Sequence, residues 1–304
     1  MEKFELTILG CGSALPTTRH FATSQVVNMR DKLYMIDCGE GAQMQFRRSK
    51  LKFSRLNHIF ISHLHGDHCF GLPGLLSTLG LLGRTSTLHI HAPASYEAML
   101  NHTLEFFCKG MEYKVEFHPV DTTQYTCIHD DRSVSVYSIP LHHRIACCGF
   151  LFKEKAPLPH IRRDMIDFYQ IPYYAINSIK NGEDWTLPDG KIIPNEYLTY
   201  PGDPARSYAY CSDTCYIPEL QNYLQEVDLL FHEATFLNED AVRAAETCHT
   251  TALQAATLAK ACNAKRLCIG HFSARYEDEN TLLEEAKTVF NNTILAKENL
   301  TIQI

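Results

Sequence analysis

Ser62-His63-Leu64-His65-Gly66-Asp67-His68 places three imidazoles and one carboxylate within six residues. Neutral imidazole and carboxylate are ligands that suit Zn²⁺. One short loop cannot surround an ion alone, so further ligands are expected from distant segments. Three segments qualify. Leu141-His142-His143-Arg144 follows an alternating strand at 133–139. Tyr210-Cys211-Ser212-Asp213-Thr214 ends an apolar run in a carboxylate, and Leu267-Cys268-Ile269-Gly270-His271 ends one in an imidazole. His142 and His143 are alternatives at this stage.

With one of that pair, the candidates are five histidines and two aspartates. Seven ligands are too many for one tetrahedral zinc. Two ions fit better: if Asp213 bridges, each has four protein contacts. Two aspartates and a hydroxide then leave the centre about one net positive charge. Such a centre attracts phosphate even on an acidic chain. The sequence has 16 histidines, and most must be ordinary. His89, His91, His102, His118, His129 and His160 read as core or surface residues.

The elements that must position these side chains are legible. Asn57-His58-Ile59-Phe60-Ile61 is a buried strand running into the loop, and Gly71-Leu72-Pro73-Gly74 opens an apolar helix after it. In open α/β layers, ligands bind beyond the carboxyl ends of strands. Strands are expected at 4–9, 24–29, 33–37, 87–91 and 113–119, with three more between 126 and 152. Helices are expected up to about Arg48, at 72–82 and at 95–108. After Ser207 the alternation resumes with strands at 227–231 and 265–270 and helices at 250–262 and 279–290, and the chain closes with strands near 293–296 and 299–303. Two groups of strands with helices outside suggest an α/β, four-layer αββα sandwich formed by residues 1–304 as a single domain. The stretch 153–200 differs, with five prolines and many tyrosines. It reads as an inserted, flexible arm with helical pieces near 161–170 and 174–181.

The 304 residues are 45% hydrophobic and 21% charged, enough for a sizeable core. No apolar run reaches the ~18 residues of a membrane span. Met1-Glu2-Lys3-Phe4-Glu5 leads straight into a strand and lacks the plan of a signal peptide. The 12 cysteines include no Cys-x-x-Cys pair, and several fall in buried strands, which reads as a reduced, cytoplasmic protein. A formal net charge of −7 disfavours a nonspecific nucleic-acid binder, so any such partner is held by local features.

His63-x-His65-x-Asp67-His68, with His143, Asp213 and His271, resembles the metallo-β-lactamase fold superfamily and its dinuclear zinc site. Further motifs narrow the resemblance to the ribonuclease Z family of tRNA 3′-end endonucleases. They are Leu9-Gly10-Cys11-Gly12-Ser13, Gly71-Leu72-Pro73-Gly74-Leu75, His232-Glu233-Ala234-Thr235-Phe236, His249-Thr250-Thr251 and Gly270-His271-Phe272-Ser273-Ala274-Arg275-Tyr276. The resemblance implies two Zn²⁺ per chain. His63, His65 and His143 would hold one, Asp67, His68 and His271 the other, with Asp213 bridging. It favours His143 over His142, because His143 lies six residues before Gly149. It also implies precursor tRNA as substrate, a homodimer, and an arm at 153–200 that grips the tRNA elbow. Two stretches depart from the family pattern. Ile171-Pro172-Tyr173-Tyr174-Ala175 stands where the arm commonly has a Gly-Pro turn. Pro16-Thr17-Thr18-Arg19-His20-Phe21 stands where Pro-x-Lys-x-Arg-Asn bears on sensing a CCA end.

The implied reaction is hydrolysis of a phosphodiester, with Asp67 as ligand and proton acceptor. His249 is the candidate proton donor, Glu233 its orienting carboxylate, and Arg275 a candidate phosphate contact. Two rivals stand beside it. A small-molecule phosphodiesterase or other hydrolase of the same fold has no evident need of the arm. A noncatalytic RNA-binding scaffold has no need of seven filled ligand positions.

Overall fold

Strand Lys32–Ile36 shows how the sequence builds the layers. Leu33 and Met35 point into one apolar cluster, Tyr34 and Ile36 into another. A strand with both faces buried lies in a sheet covered on both sides. The computed structural model describes residues 2–304.

The strands β1 (Phe4–Gly10), β2 (Ser24–Met29), β3 (Lys32–Ile36), β4 (Leu56–Phe60), β5 (Leu88–Pro93) and β6 (Val115–Val120) are followed by β7 (Cys127–Asp130), β8 (Val134–Pro140) and β9 (Cys148–Glu154). Four two-residue strands come next: β10 (His160–Ile161), β11 (Trp185–Thr186), β12 (Ile192–Ile193) and β13 (Thr199–Tyr200). The last five are β14 (Ser207–Cys211), β15 (Leu229–Glu233), β16 (Leu267–Gly270), β17 (Thr293–Leu295) and β18 (Thr301–Gln303). One seven-stranded sheet runs β18-β1-β2-β3-β4-β5-β6, and the other runs β17-β16-β15-β14-β9-β8-β7.

The inner faces of the two sheets share one core. Phe60 and Phe150 lie 5.5 Å apart across it, and Tyr34 meets Phe152 edge-on at 6.0 Å. Each large side chain buried there contributes about 1.5–3 kcal/mol. Helices α1 (Ala42–Arg48), α2 (Gly66–Cys69), α3 (Leu72–Leu81) and α4 (Glu97–Phe107) follow strands of the first sheet, and the apolar faces of α1, α3 and α4 cover its outer side. After three short helices, α5 (Arg163–Phe168), α6 (Ile176–Lys180) and α7 (Asn195–Leu198), come α8 (Ala241–Thr247), α9 (Ala252–Ala261) and α10 (Asn280–Lys287). Helices α9 and α10 bury alanines and leucines in the core of the second sheet. The four layers are therefore αββα.

Each expected strand and helix is present, with ends displaced by a few residues. Helix α8 was not among the expectations, although its Ala-Val-Arg-Ala-Ala-Glu-Thr composition favours a helix. Residues Glu154–Ala205 form a compact unit of their own, which ends five residues beyond the expected arm boundary. Ile171, Ala175, Ile179, Ile193 and Leu198 make its core, with Trp185 packed against them. Strands β10–β13 and β11–β12 pair antiparallel within it. No helix among the described residues is long and apolar enough to cross a membrane. All 12 cysteines are free thiols.

Candidate metal centre

The strand-end clusters meet. His63 and His65 lie on the loop after β4, and Asp67 and His68 on the single turn of α2. His143 lies between β8 and β9, Asp213 two residues after β14, and His271 directly after β16. His63, His68, Asp213 and His271 are buried, and His143 is nearly so. His142 is exposed and points its backbone N–H at the Thr214 hydroxyl, so the structure brings His143 into the cluster and not His142.

The seven side chains form two sets around one carboxylate. His65 Nδ1 lies 3.1 Å from His63 Nε2 and 3.2 Å from His143 Nε2. Asp213 Oδ2 faces this set, 3.6 Å from His63 Nε2 and 3.9 Å from His143 Nε2. Asp213 Oδ1 faces the other, 3.4 Å from His68 Nε2 and 3.2 Å from His271 Nε2. Asp67 Oδ2 completes it at 3.3 Å from His68 Nε2 and 3.4 Å from His271 Nε2.

The second ring nitrogen of four histidines is tied down, which turns each Nε2 to the centre. His68 Nδ1 donates to Asp37 Oδ2 at 2.8 Å, and His143 Nδ1 to the Cys248 carbonyl at 2.9 Å. His271 Nδ1 donates to the Thr235 hydroxyl at 2.9 Å, which donates to Glu233 Oε2 at 2.7 Å. His63 Nδ1 reaches the Ser62 hydroxyl at 3.0 Å. Asp37 anchors the layer behind the ligands. Besides His68 it accepts from the Ser62 N–H at 2.7 Å, the Ser62 hydroxyl at 2.9 Å and the Tyr210 hydroxyl at 2.6 Å.

Local backbone strain accompanies this placement. Asp37 (φ 55°) and His271 (φ 62°) sit in the left-handed region just past β3 and β16. Each costs on the order of 1 kcal/mol, which the surrounding hydrogen bonds offset. Close backbone approach also requires glycine. A Cβ on Gly39 would come within 2.2 Å of the Asp67 carbonyl oxygen, and one on Gly71 within 2.1 Å of the Gly39 carbonyl oxygen.

The donor set fits metal ions. Burial pushes His63, His65 and His143 towards the neutral form that a metal requires. His68 goes the other way: burial opposes its charge, but Asp213, Asp37 and Asp67 outweigh it. Burial also opposes ionisation of Asp67 and Asp213, yet the facing histidines hold both well below the usual carboxylate range. Two buried atoms at the centre, His68 Nε2 and Asp213 Oδ1, have no hydrogen-bond partner, as expected of atoms placed for a cation.

His249 and Glu233 stand beside the cluster. His249 Nδ1 donates to Glu233 Oε1 at 2.9 Å, and Glu233 is wholly buried. Burial lowers His249, but the charge and hydrogen bond of Glu233 outweigh it and push it up to about 9. Its ring packs 5.2 Å from His143 and 5.4 Å from His271, and it lines a cleft of about 300 Å³ over the cluster. Arg144, Arg243 and Ser13 also line that cleft. Arg275 instead pairs with Asp240 at 3.1 Å and lies over the Phe236 ring. A wider hollow of about 650 Å³ adjoins His65 and Asp67 and is bounded by Pro16, Thr17, His20 and Phe21.

Sequence reasoning passed over Asp37, Thr235 and Arg243 as site residues. Asp37 had a signal, since it ends an apolar strand as Asp213 does. Replacing it by Asn leaves the fold but sets an amide N–H against His68 Nδ1. Asp37→Asn is expected to weaken metal affinity about 10–100-fold, measured by competition with a chromophoric chelator.

A family model described as Anti-Pycsar protein Apyc1 matches residues 4–156, and one described as Beta-lactamase superfamily domain matches residues 198–272. The interval between the matches falls inside the unit Glu154–Ala205. The chain is 66% identical over 304 residues to Ribonuclease Z of Bacteroides fragilis, covering 100% of each. It is 57% identical to Ribonuclease Z of Porphyromonas gingivalis, again covering 100% of each. Among solved structures it is similar to human tRNase Z, short form, at 26% identity and a TM-score of 0.70, covering 98% of each chain.

Proposed function

The chain belongs to the ribonuclease Z family of metallo-β-lactamase-fold endoribonucleases, and on that footing we propose that it removes the 3′ trailer of precursor tRNA with two Zn²⁺ per chain. It is a metal-binding hydrolase that acts in tRNA 3′ processing. His63, His65 and His143 would hold one ion and Asp67, His68 and His271 the other, with Asp213 available to both. The observation that carries this reading is the division of Asp213, with Oδ2 facing one histidine set and Oδ1 the other.

When bound, the ions supply Lewis acidity and a water of lowered pKa. Asp67, kept ionised, accepts the proton of the attacking water. A new O–P bond forms in line as the bond from phosphorus to the 3′ oxygen breaks. His249, fixed through Nδ1 by Glu233, presents Nε2 to the cleft and gives its proton to the departing oxygen. Arg144 and Arg243 line the cleft where the phosphate enters, and Arg275 offers a backbone contact beyond them. In the arm, Phe168, Tyr173 and Tyr174 are exposed, flat surfaces suited to stacking on RNA. The working assembly is a homodimer in the cytoplasm. The free cysteines support that compartment, and exposed Leu81, Phe106 and Phe107 on α3 and α4 are apolar surface that a second copy would cover.

Incubation of the zinc-loaded chain with 3′-extended precursor tRNA, with and without an encoded CCA, tests the reading. The expected products are a tRNA body ending in a 3′ hydroxyl and a trailer with a 5′ phosphate. Cleavage of neither substrate would refute it.

A further inference from the structure

Five histidines unused by the reaction gather at the open edge of the sandwich. Strands β4, β5 and β6 are the last three of the first sheet, and β7 is the last of the second. His58 sits beside His89 in the ladder, and His91 beside His118. These four rings share the inner face of the first sheet. His129 comes from β7 of the other sheet, and its ring centre lies 4.1 Å from that of His58.

The edge of a sandwich core is ordinarily closed by apolar side chains, and imidazoles placed there lose hydration. Part of that loss is recovered: His58 Nδ1 and His91 Nε2 are 3.2 Å apart, and His89 Nδ1 and His118 Nε2 are 3.0 Å apart. Part is not. His91 is 2% exposed, and its Nδ1 has no hydrogen-bond partner; the buried Nε2 of His129 has none either. Each such atom has lost its water without gaining a partner, which destabilises the folded chain. Apolar residues would close the edge without that penalty.

We propose that His58, His91 and His129 form a further metal site, separate from the catalytic cluster, which takes one divalent ion of the Zn²⁺ class. One ligand-capable atom from each of the three lies within 4.8 Å of the others. The 3.2 Å spacing of His58 and His91 matches the 3.1 and 3.2 Å spacings within the catalytic cluster. It is also close to the roughly 3.3 Å that two nitrogens adopt on a tetrahedral zinc. Three imidazoles select zinc, cobalt, nickel or copper over magnesium and calcium. Burial drives His58 down to about 3 and His91 to about 2, so both are neutral and ready to bind at physiological pH. His89 and Glu116, partly exposed and 3.4 Å apart, continue the cluster towards solvent. An ion here joins β4 and β5 of one sheet to β7 of the other. Its effect is on the stability of the edge and not on the chemistry.

The experiment counts bound zinc after equilibration with excess zinc and gel filtration, in the unaltered protein, His129→Ala, His58→Gln, Asp213→Ala and the double variant of His129→Ala with Asp213→Ala. His129 lies on an edge strand, and His58→Gln provides a second, nearly isosteric test. His129→Ala and His58→Gln are expected to bind one zinc fewer than the unaltered chain and to cleave precursor tRNA at its rate. Asp213→Ala, with its catalytic cluster broken, is expected to keep one zinc and to gain thermal stability when zinc is added. The double variant is expected to lose both. Equal zinc in Asp213→Ala and the double variant would overturn the proposal, whatever becomes of the catalytic pair.

Discussion

An Asp67→Ala chain is expected to fold normally and to cleave 3′-extended precursor tRNA at least ~10³-fold more slowly than the unaltered chain. Two losses coincide at this residue. Its Oδ2 faces His68 Nε2 at 3.3 Å and His271 Nε2 at 3.4 Å, so one half of the cluster loses its own carboxylate. In the proposed reaction the attacking water also loses its proton acceptor, a role typically worth about 10²–10⁴-fold. The fold is expected to survive because Asp67 sits on the one-turn helix α2 at the edge of the wider hollow and not in either core cluster. Single-turnover cleavage rates, read beside circular dichroism, check this. Asp67→Asn separates the losses: its amide oxygen can still face an ion but is a poor proton acceptor. If Asp67→Asn binds two zinc ions and cleaves at the full rate, the acceptor role is wrong.

The positions of the seven cluster residues were legible because sequence and topology express the same fact. In this fold the cluster side chains stand past strand ends, and strand ends are visible where an apolar run stops at a polar residue. Ile59-Phe60-Ile61 stops at Ser62-His63, Tyr210-Cys211 at Ser212-Asp213, and Ile269-Gly270 at His271. Two groups of strands gave the sandwich, since strands buried on both faces read as continuous apolar runs. The change of composition near residue 153 marked the arm, and its helices α5 and α6 lie where helical pieces were expected.

What supports the cluster was much less visible. Thr235 and the Cys248 carbonyl position His271 and His143 from other segments, and nothing in Thr or a main-chain oxygen marks such a role. The backbone turns at Asp37 and His271 require positive φ, a constraint that sequence patterning does not display for non-glycine residues. Arg275 drew attention as part of the motif Gly270-His271-Phe272-Ser273-Ala274-Arg275-Tyr276, yet it is paired with Asp240, and the arginines lining the cleft come from α8 and from the loop after β8. The histidines of the second cluster show the same limit more sharply. His58, His89, His91, His118 and His129 lie on four strands, and each is unexceptional alone. Only the ladder register of β4 to β6, and the packing of β7 opposite them, brings them together.

His249→Ala is expected to lower the rate of precursor cleavage about 10²–10⁴-fold while leaving the zinc content unchanged. His249 is not one of the seven side chains around Asp213, and its Nδ1 is committed to Glu233 at 2.9 Å, so its loss removes no ligand atom. It does remove the cleft imidazole that Glu233 pushes towards its charged form. The departing 3′ oxygen of a ribose is a poor leaving group and needs a proton as the bond breaks. A phosphodiester whose leaving group is a stable phenolate needs none. The expected signature is therefore a large loss on precursor tRNA and a much smaller one on an aryl phosphodiester with the same variant. Glu233 is a positioning residue in this scheme: it orients His249 directly and His271 through the Thr235 hydroxyl. Glu233→Gln should reproduce the leaving-group dependence of His249→Ala and add a weakening of zinc affinity that His249→Ala lacks. Equal losses on both substrates would remove His249 from proton donation, and zinc loss in His249→Ala would assign it to the metal cluster itself.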